Sequence, residues 1–117
     1  MHYLLLIYSN EKEEAAMQPA QMTSVMAEYT EFTKGIIQSG HFKAADRLRP
    51  TSAATTVRVR NGKVATTDGP FAETREQLGG YYMIDAKNLD EAIAIAARNP
   101  SAKVGSIEVR PVWPPQG

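Results

Sequence analysis

The most constraining feature of this sequence is a continuous apolar run near its N-terminus, from Tyr3 to Tyr8. The run shows no alternation of apolar and polar residues, which is typical of a strand that is covered on both of its faces. At 117 residues the chain has material for one domain. The remaining helices and strands of this one domain must therefore cover both faces of the strand, or another molecule must cover one of them.

A helix is predicted from about residue 19 to residue 39. Pro19 suits a first turn, and Gly40 suits the position after the last turn. Apolar residues at spacings of three and four form one stripe, which consists of Met22, Val25, Tyr29, Phe32 and Ile36.

A β-hairpin is predicted over residues 55–67, because two alternating runs flank Asn61 and Gly62. Asn-Gly is the strongest short signal for a hairpin, since both turn positions need positive φ. Residues 41–54 before the hairpin are expected to be irregular. Residues 72–78 after it are expected to form a short helical turn, and residues 81–85 a strand.

A second helix is predicted to begin at Asn88, which caps it together with Glu91 three residues later. Its expected buried stripe is Leu89, Ile93 and either Ala96 or Ala97. Asn99 and Pro100 end the helix. Residues 106–112 alternate again and predict the last strand.

These elements predict an α+β fold of the ferredoxin-like type, in the order β-α-β-β-β-α-β. Both helices then cover one face of an antiparallel sheet, and no third layer covers the other face. A second copy that stacks its sheet there gives a dimeric α/β barrel. Two interpretations stay open for three charged residues, which either line this barrel or lie on a solvated edge: Glu108, Arg110 and Arg58.

Composition narrows the function classes. Lys+Arg and Asp+Glu number 13 each, so the chain lacks the positive charge that nucleic acid or an anionic membrane attracts. There is no cysteine, which excludes disulfides and thiolate sites, and neither histidine has metal-ligand spacing. No apolar run approaches the roughly 20 residues of a membrane span. We expect a cytoplasmic protein without metal or cofactor.

Aromatic residues raise one further interpretation. RNA-recognition domains share this strand order, but they need exposed aromatics on a basic surface, which a neutral chain lacks. Because Tyr81 and Tyr82 are adjacent in a strand, one of them faces the open side, and Tyr82 is taken as a candidate binding residue. His41 follows the first helix, where a structural role is favoured over a functional one.

Residues 68–71 read Asp-Gly-Pro-Phe, a composition typical of a turn. The structural interpretation makes Phe71 the anchor of this turn in the core. The functional interpretation makes the Asp68 carboxylate a general base that faces a pocket, with Arg47 or Arg49 placed to orient it or to bind an anionic ligand.

The segment from residue 68 to residue 82 resembles the signature of the YCII-related proteins of the DGPF type. The resemblance extends over nearly the whole chain, including residues 3–8, 48–50, 55–58 and 107–112. It implies one domain over residues 1–117, of bacterial origin, that forms the homodimeric barrel expected above.

The resemblance also implies positions for a catalytic pair. Many members of the wider family carry a His on the first helix and an Asp after the second, and these positions fall on Tyr29 and Asn99. Tyr titrates near pH 10 and Asn does not titrate, so this pair cannot perform the same proton transfer near neutral pH. If catalysis persists, Asp68 is the better base.

Two function classes therefore stay open. One is a cofactor-independent enzyme of the isomerase or lyase type that acts on a small organic molecule in the cavity of the dimer. The other is a non-catalytic module that binds a ligand or regulates a partner. Some DGPF-type domains are joined to sigma-factor-like proteins, which implies a link to transcription for the second class.

Overall fold

The computed structural model describes residues 1–114, and the last three residues of the expected 1–117 domain lie outside this description. Its strands and helices, in chain order, are β1 (His2–Ser9), α1 (Glu11–Ala15), α2 (Pro19–Gln38), β2 (Phe42–Arg47), β3 (Thr55–Arg60), β4 (Lys63–Asp68), β5 (Gln77–Asp85), α3 (Leu89–Ala97) and β6 (Ser106–Pro111). Two short 3₁₀ turns, Thr51–Ala53 and Pro100–Lys103, precede β3 and β6.

Four of the strands form one antiparallel sheet in the order β2-β5-β1-β6. β1 and β2 run in the same direction because both are antiparallel to β5, which lies between them. The helix α2 joins β1 to β2, and α3 joins β5 to β6. The elements of this sheet thus follow a β-α-β-β-α-β order. The expected α+β fold with an antiparallel sheet is confirmed.

The central strand β1 divides the sheet into two different faces. Tyr3, Leu5 and Ile7 are buried in the same core as the inward residues of α2 and α3, so both helices cover this face. The alternate residues are only half-buried, since no element of the described chain covers them. We call this second surface the open face; its central apolar residues are Leu4, Leu6, Tyr8, Tyr81 and Met83.

The predicted first helix is confirmed as α2. Its C-terminal half carries the buried part of the stripe, Phe32 and Ile36, while Met22 and Val25 are half-buried. The helix ends where the sequence indicates, because Gly40 has a φ of 82° and closes it in the left-handed conformation.

The second helix begins as predicted, but its buried stripe is different. The Asn88 side chain accepts a hydrogen bond from the Glu91 backbone nitrogen at 2.9 Å. Leu89 and Ile93, expected in the core, are each 49% exposed. Ala96 is buried as expected, and Ala92 and Ile95 are buried with it. The small alanine side chains let α3 lie close to the sheet. Because α3 has apolar residues on several sides, the sequence pattern alone does not determine which side of the helix faces the core.

The expectation of irregular structure over residues 41–54 is wrong in part, because β2 lies there and forms an edge of the sheet. A shift in the pairing of β2 with β5 between Phe42 and Ala44 leaves Lys43 as an extra residue. This bulge breaks the alternation from which a strand is recognised in a sequence. The described chain thus contains six strands, where five were predicted.

The predicted hairpin is confirmed, with φ values of 53° at Asn61 and 73° at Gly62. Its strands β3 and β4 form a separate two-stranded sheet and do not join the main sheet. Arg58 therefore does not lie on the open face, and that part of the prediction is wrong. Glu108 and Arg110 do lie there, and they form an ion pair.

The expected helical turn over residues 72–78 is also wrong. Residues 71–76 form bends without a helix, and β5 already begins at Gln77. Residue 80 must be glycine, because a Cβ atom there would lie 2.8 Å from the Asp46 carbonyl oxygen. Among residues 1–114, every helix is too short or too polar to cross a membrane.

Candidate functional site

A polar cluster lies between α2 and the turn that follows α3. The Tyr29 hydroxyl donates a hydrogen bond to Asn99 Oδ1 at 3.0 Å and is also hydrogen-bonded to Ser101 Oγ. Tyr29 comes from the half-buried stripe of α2. Asn99 caps the 3₁₀ turn Pro100–Lys103, in which Ser101 is the second residue. We call these three residues the tyrosine cluster.

The orientation of the Asn99 amide is fixed by its neighbours. Its Oδ1 atom accepts a hydrogen bond from the Ser101 backbone nitrogen at 2.9 Å. A flipped amide would place an NH₂ group against that N–H donor, so the oxygen must stay there. Asn99 is only 1% exposed, and its Nδ2 atom has no hydrogen-bond partner within residues 1–114. The cluster thus contains a buried donor that awaits an acceptor.

The Tyr29 hydroxyl stays protonated at neutral pH. Burial raises the pKa of Tyr29 above its usual value of 10.0, since a phenolate would lose its hydration. The hydrogen bond from Ser101 offsets part of this rise, whereas Tyr82 and Glu14 add to it. Its single proton is donated to Asn99 Oδ1, and the phenol has no deprotonated form that could act as a base near neutral pH.

Tyr82 lies on the helix side of the sheet, and Tyr81 faces the open side. The Tyr82 hydroxyl is 2.6 Å from Thr33 Oγ, and its ring packs edge-to-face against Phe32. Tyr82 therefore packs against α2 from the sheet, within one turn of Tyr29 along the helix. The Tyr81 hydroxyl donates a hydrogen bond to Asp46 Oδ2 at 2.6 Å.

An open groove of about 450 Å³ runs along α2 beside the cluster. Tyr29 is part of its lining, which also includes Met26, Thr30, Thr33, Lys34 and Ile37. Its walls combine apolar side chains with hydroxyl groups and one ammonium group. This is the combination that orients a small organic molecule in a binding site.

The residues expected to surround Asp68 do not assemble with the cluster. Asp68 ends β4, is exposed, and forms no ion pair with Arg47 or Arg49 in the described part of the chain. Both arginines are exposed, one at the end of β2 and one in the following loop. Phe71 is 80% exposed, so the expectation that it anchors the turn in the core is wrong.

The chain is related to known proteins over nearly its whole length. The model of the YCII-related domain family matches residues 1–116. The chain belongs to the YCII-related domain family. It is also similar to an uncharacterized protein of Rhizobium meliloti (strain 1021), with 39% identity over 114 residues that cover 96% of this chain and 92% of that protein.

In this YCII-related domain, the structure brings together the two residues that the sequence assigned to the family's His and Asp positions. Tyr29 and Asn99 are seventy residues apart in sequence and share a hydrogen bond. Asp68, Arg47 and Arg49 have no hydrogen bond to them within residues 1–114.

Sequence reasoning missed Ser101, the third member of the cluster. The signal was present, because Asn-Pro-Ser is the pattern of a capped helical turn with Pro in its first position. From the sequence, Asn99 and Pro100 were interpreted as the end of α3, and Asn99 also as the position of the family's Asp, but not as the start of a capped turn. No group of three or more His, Asp or Glu side chains in residues 1–114 is arranged to hold a metal ion.

Proposed function

We propose that this YCII-related protein is a homodimer that binds a small organic molecule at the tyrosine cluster, without proton transfer by a His–Asp pair. The observation that supports this most is the 3.0 Å hydrogen bond between Tyr29 and Asn99. Tyr29 and Asn99 occupy the positions of the family's His and Asp and lie side by side, yet neither side chain exchanges a proton near neutral pH. Such a site favours binding over acid–base catalysis.

The ligand offers an acceptor atom next to an apolar or aromatic body. A carbonyl, carboxylate or phenol oxygen would meet the hydroxyl groups of Thr30 and Thr33, which line the groove beside Tyr29. The apolar body would lie along Met26 and Ile37, both of which are exposed in the groove. The Lys34 ammonium group favours an anionic ligand over a neutral one.

An enzyme of the isomerase or lyase type is the alternative. Its base would be Asp68, which is exposed at the end of β4. That geometry does not favour catalysis in a single copy of the chain. A ligand-responsive regulatory module would use the same binding chemistry that we propose here.

The open face supports the proposed homodimer. Its central apolar residues Leu4, Leu6 and Met83 are contiguous across β1 and β5 and only half-buried. An apolar surface of this kind marks an interface. Two copies that stack these faces would form the ferredoxin-like dimeric α/β barrel, and light scattering should then give twice the chain mass of 12.8 kDa.

The test of the binding site is a thermal-shift screen with small phenolic and carboxylic compounds, since a ligand of the folded state raises the melting midpoint. Each compound that raises it is retested on Tyr29→Phe, which removes the donor hydroxyl. Tyr3→Phe is the matched control, because the one hydrogen bond of the Tyr3 hydroxyl within residues 1–114 is to Met1 Sδ, at 3.9 Å. We expect the shift to be lost in the first variant and kept in the second.

Two outcomes would contradict this proposal. If Tyr29→Phe and Tyr3→Phe respond alike to every compound, the ligand does not bind at the tyrosine cluster. If the wild-type protein converts a compound into a product that chromatography resolves, the chain is an enzyme.

A further inference from the structure

Three polar side chains form a chain of hydrogen bonds where α2 ends and α3 begins. Ser39 Oγ is 2.6 Å from His41 Nδ1, and His41 Nε2 is 3.0 Å from Glu91 Oε1. A hydroxyl, an imidazole and a carboxylate in this order are the groups that activate a serine nucleophile in acyl-transfer enzymes. Such a set is recognised by its geometry and by the roles of its members, not by their order in the sequence. We call these three residues the serine relay.

The ends of the two helices hold the serine relay together. Gly40 has a φ of 82°, so the chain turns sharply between Ser39 and His41, and their side chains meet. Glu91 lies in the first turn of α3, where its Oε1 atom also accepts a hydrogen bond from the Lys87 backbone nitrogen at 3.1 Å. The carboxylate is therefore fixed in front of the imidazole by the cap of the helix.

The carboxylate determines which nitrogen of His41 carries a proton. The backbone hydrogen bond from Lys87 is the main cause that lowers the pKa of Glu91, so this group is ionised near neutral pH. An ionised carboxylate only accepts hydrogen bonds, and Nε2 of His41 must therefore be the donor. In the neutral ring, Nδ1 then has a free lone pair directed at the Ser39 hydroxyl. The other acceptor near this hydroxyl, the Ile36 carbonyl, is farther away, at 3.2 Å.

The exposure of the serine relay suits a reaction with a molecule from solution. Ser39 is exposed, whereas the side chains of His41 and Glu91 are each only 25% exposed. The nucleophile is thus open to a substrate, while the two groups behind it are partly shielded from water. Shielding strengthens the hydrogen bonds that orient the base.

The backbone around Ser39 limits the substrate class. The nitrogens of residues 39, 40 and 41 all donate to carbonyl groups of α2, so these three offer no oxyanion hole. Removal of one oxyanion donor slows an enzyme by about a hundredfold to a thousandfold. The serine relay therefore suits an ester with a good leaving group, such as an aryl ester, and slow turnover.

We propose that Ser39 is an activated nucleophile that takes the acyl group of an aryl ester, with His41 as its base and Glu91 as a positioning residue. Ser39 Oγ bonds to the ester carbonyl carbon while its proton passes to His41 Nδ1. The bond from that carbon to the phenol oxygen then breaks, and the phenol leaves with the proton. Water attacks the acyl-serine by the same proton route, which releases the carboxylic acid and restores the hydroxyl.

The first experiment measures covalent labelling by an alkyl fluorophosphonate. Reaction with an activated serine forms an oxygen–phosphorus bond and expels fluoride, and peptide mass spectrometry locates the label. We expect the label on Ser39 of the wild type, its absence from Ser39→Ala, and labelling at least about a hundredfold slower in His41→Gln. Ser24→Ala is the matched control and should label as the wild type does, because Ser24 is exposed on the same helix about 22 Å before Ser39.

The second experiment separates the positioning role of Glu91 from a purely structural one. Glu91→Gln keeps an acceptor atom of similar shape but loses the charge that orients and stabilises the protonated imidazole. With p-nitrophenyl acetate as the ester, we expect this variant to lower kcat at least about tenfold. KM should stay within about twofold, since Glu91 does not touch the ester. A variant that lowers neither constant would show that Glu91 only caps α3.

Three outcomes would overturn the proposal. A fluorophosphonate that labels no residue, or labels Ser24 as fast as Ser39, would show that the Ser39 hydroxyl is not activated. Labelling that is equally fast in folded His41→Gln would exclude the imidazole as the base. Hydrolysis of p-nitrophenyl acetate that persists unchanged in Ser39→Ala would place the reaction elsewhere. None of these results affects the tyrosine cluster, because the phenols and carboxylic acids of its thermal-shift screen contain no ester bond.

Discussion

His41 Nε2 lies 3.0 Å from Glu91 Oε1, and this contact links the end of α2 to the first turn of α3. The other ring nitrogen, Nδ1, is 2.6 Å from Ser39 Oγ, and Ser39 also donates to the Ile36 carbonyl at 3.2 Å. Both ring nitrogens of His41 therefore have a hydrogen-bond partner. His41 therefore also has a structural role, because its side chain connects the end of α2 to the start of α3.

Stability is predicted to fall in acid partly through Glu91. A hydrogen bond from the Lys87 backbone nitrogen, and then the contact with His41, lower the pKa of Glu91 below its usual 4.5. A carboxyl group with a lowered folded-state pKa stabilises the fold above its unfolded pKa, and this contribution is lost as pH falls through the folded value. Thermal melts between about pH 6 and pH 3 should therefore show a shallower loss for Glu91→Gln than for the wild type. Glu31→Gln, at an exposed site on α2, is the control and should melt as the wild type does.

Two glycines are predicted to respond in opposite directions to the same substitution. A Cβ atom at Gly105 would lie 2.2 Å from the Tyr8 carbonyl oxygen, so Gly105→Ala forces the backbone of β1 or β6 to move. We expect a loss of at least about 2 kcal/mol in the free energy of unfolding. Gly35 lies inside α2 with nothing within 4 Å of the place that a Cβ atom would take, and Gly35→Ala should stabilise by about 0.5–1 kcal/mol. Urea denaturation that ranks the two variants the other way would contradict this packing.

The tyrosine cluster predicts an order of cost for two deletions. Asn99→Ala removes the cap of the 3₁₀ turn and leaves the Ser101 nitrogen and the Tyr29 hydroxyl without their acceptor. We expect it to cost about 1–3 kcal/mol. Tyr29→Phe removes one donor while Asn99 Oδ1 keeps its bond from the Ser101 backbone, so its cost should be about 0.5–1.5 kcal/mol. An equal or reversed order in urea denaturation would show that Asn99 does not organise the cluster.

The sequence predicted those elements whose signal lies within a few residues. Asn61-Gly62 specifies its turn through positive φ, and Asn88 with Glu91 specifies a helix start, and both are observed. β2 was missed because its bulge and its edge position interrupt the alternation. Whether the hairpin joins the main sheet depends on pairing between distant strands, which no local pattern records.

The candidate site also contains some features that the sequence predicted and others that depend on packing between distant residues. The assignment of Tyr29 and Asn99 came from the resemblance to the family, and their contact is observed across seventy residues of sequence. Ser101 was missed because its hydrogen bond to Tyr29 depends on how α2 packs against the turn after α3. The unused Asn99 donor is equally a property of packing, since it requires complete burial of the amide. Composition and spacing do not contain such information.

The loop at Asp68 is predicted to be independent of the binding site. Asp68 is exposed and directly precedes Gly69, whose φ is 98°, so its position is that of a turn residue. Asp68→Asn keeps the shape and an acceptor atom but removes the charge, and it should change the melting midpoint very little. Arg49→Lys keeps the charge but loses the planar fork that binds a carboxylate through two hydrogen bonds. Because the proposed ligand binds at Tyr29 and Asn99, compounds that stabilise the wild type should stabilise both variants equally.

If Asp68→Asn melts normally but no longer responds to those compounds, the carboxylate takes part in binding or catalysis. A matching loss in Arg49→Lys would then identify the two residues as partners, brought together when the ligand or a second copy is present.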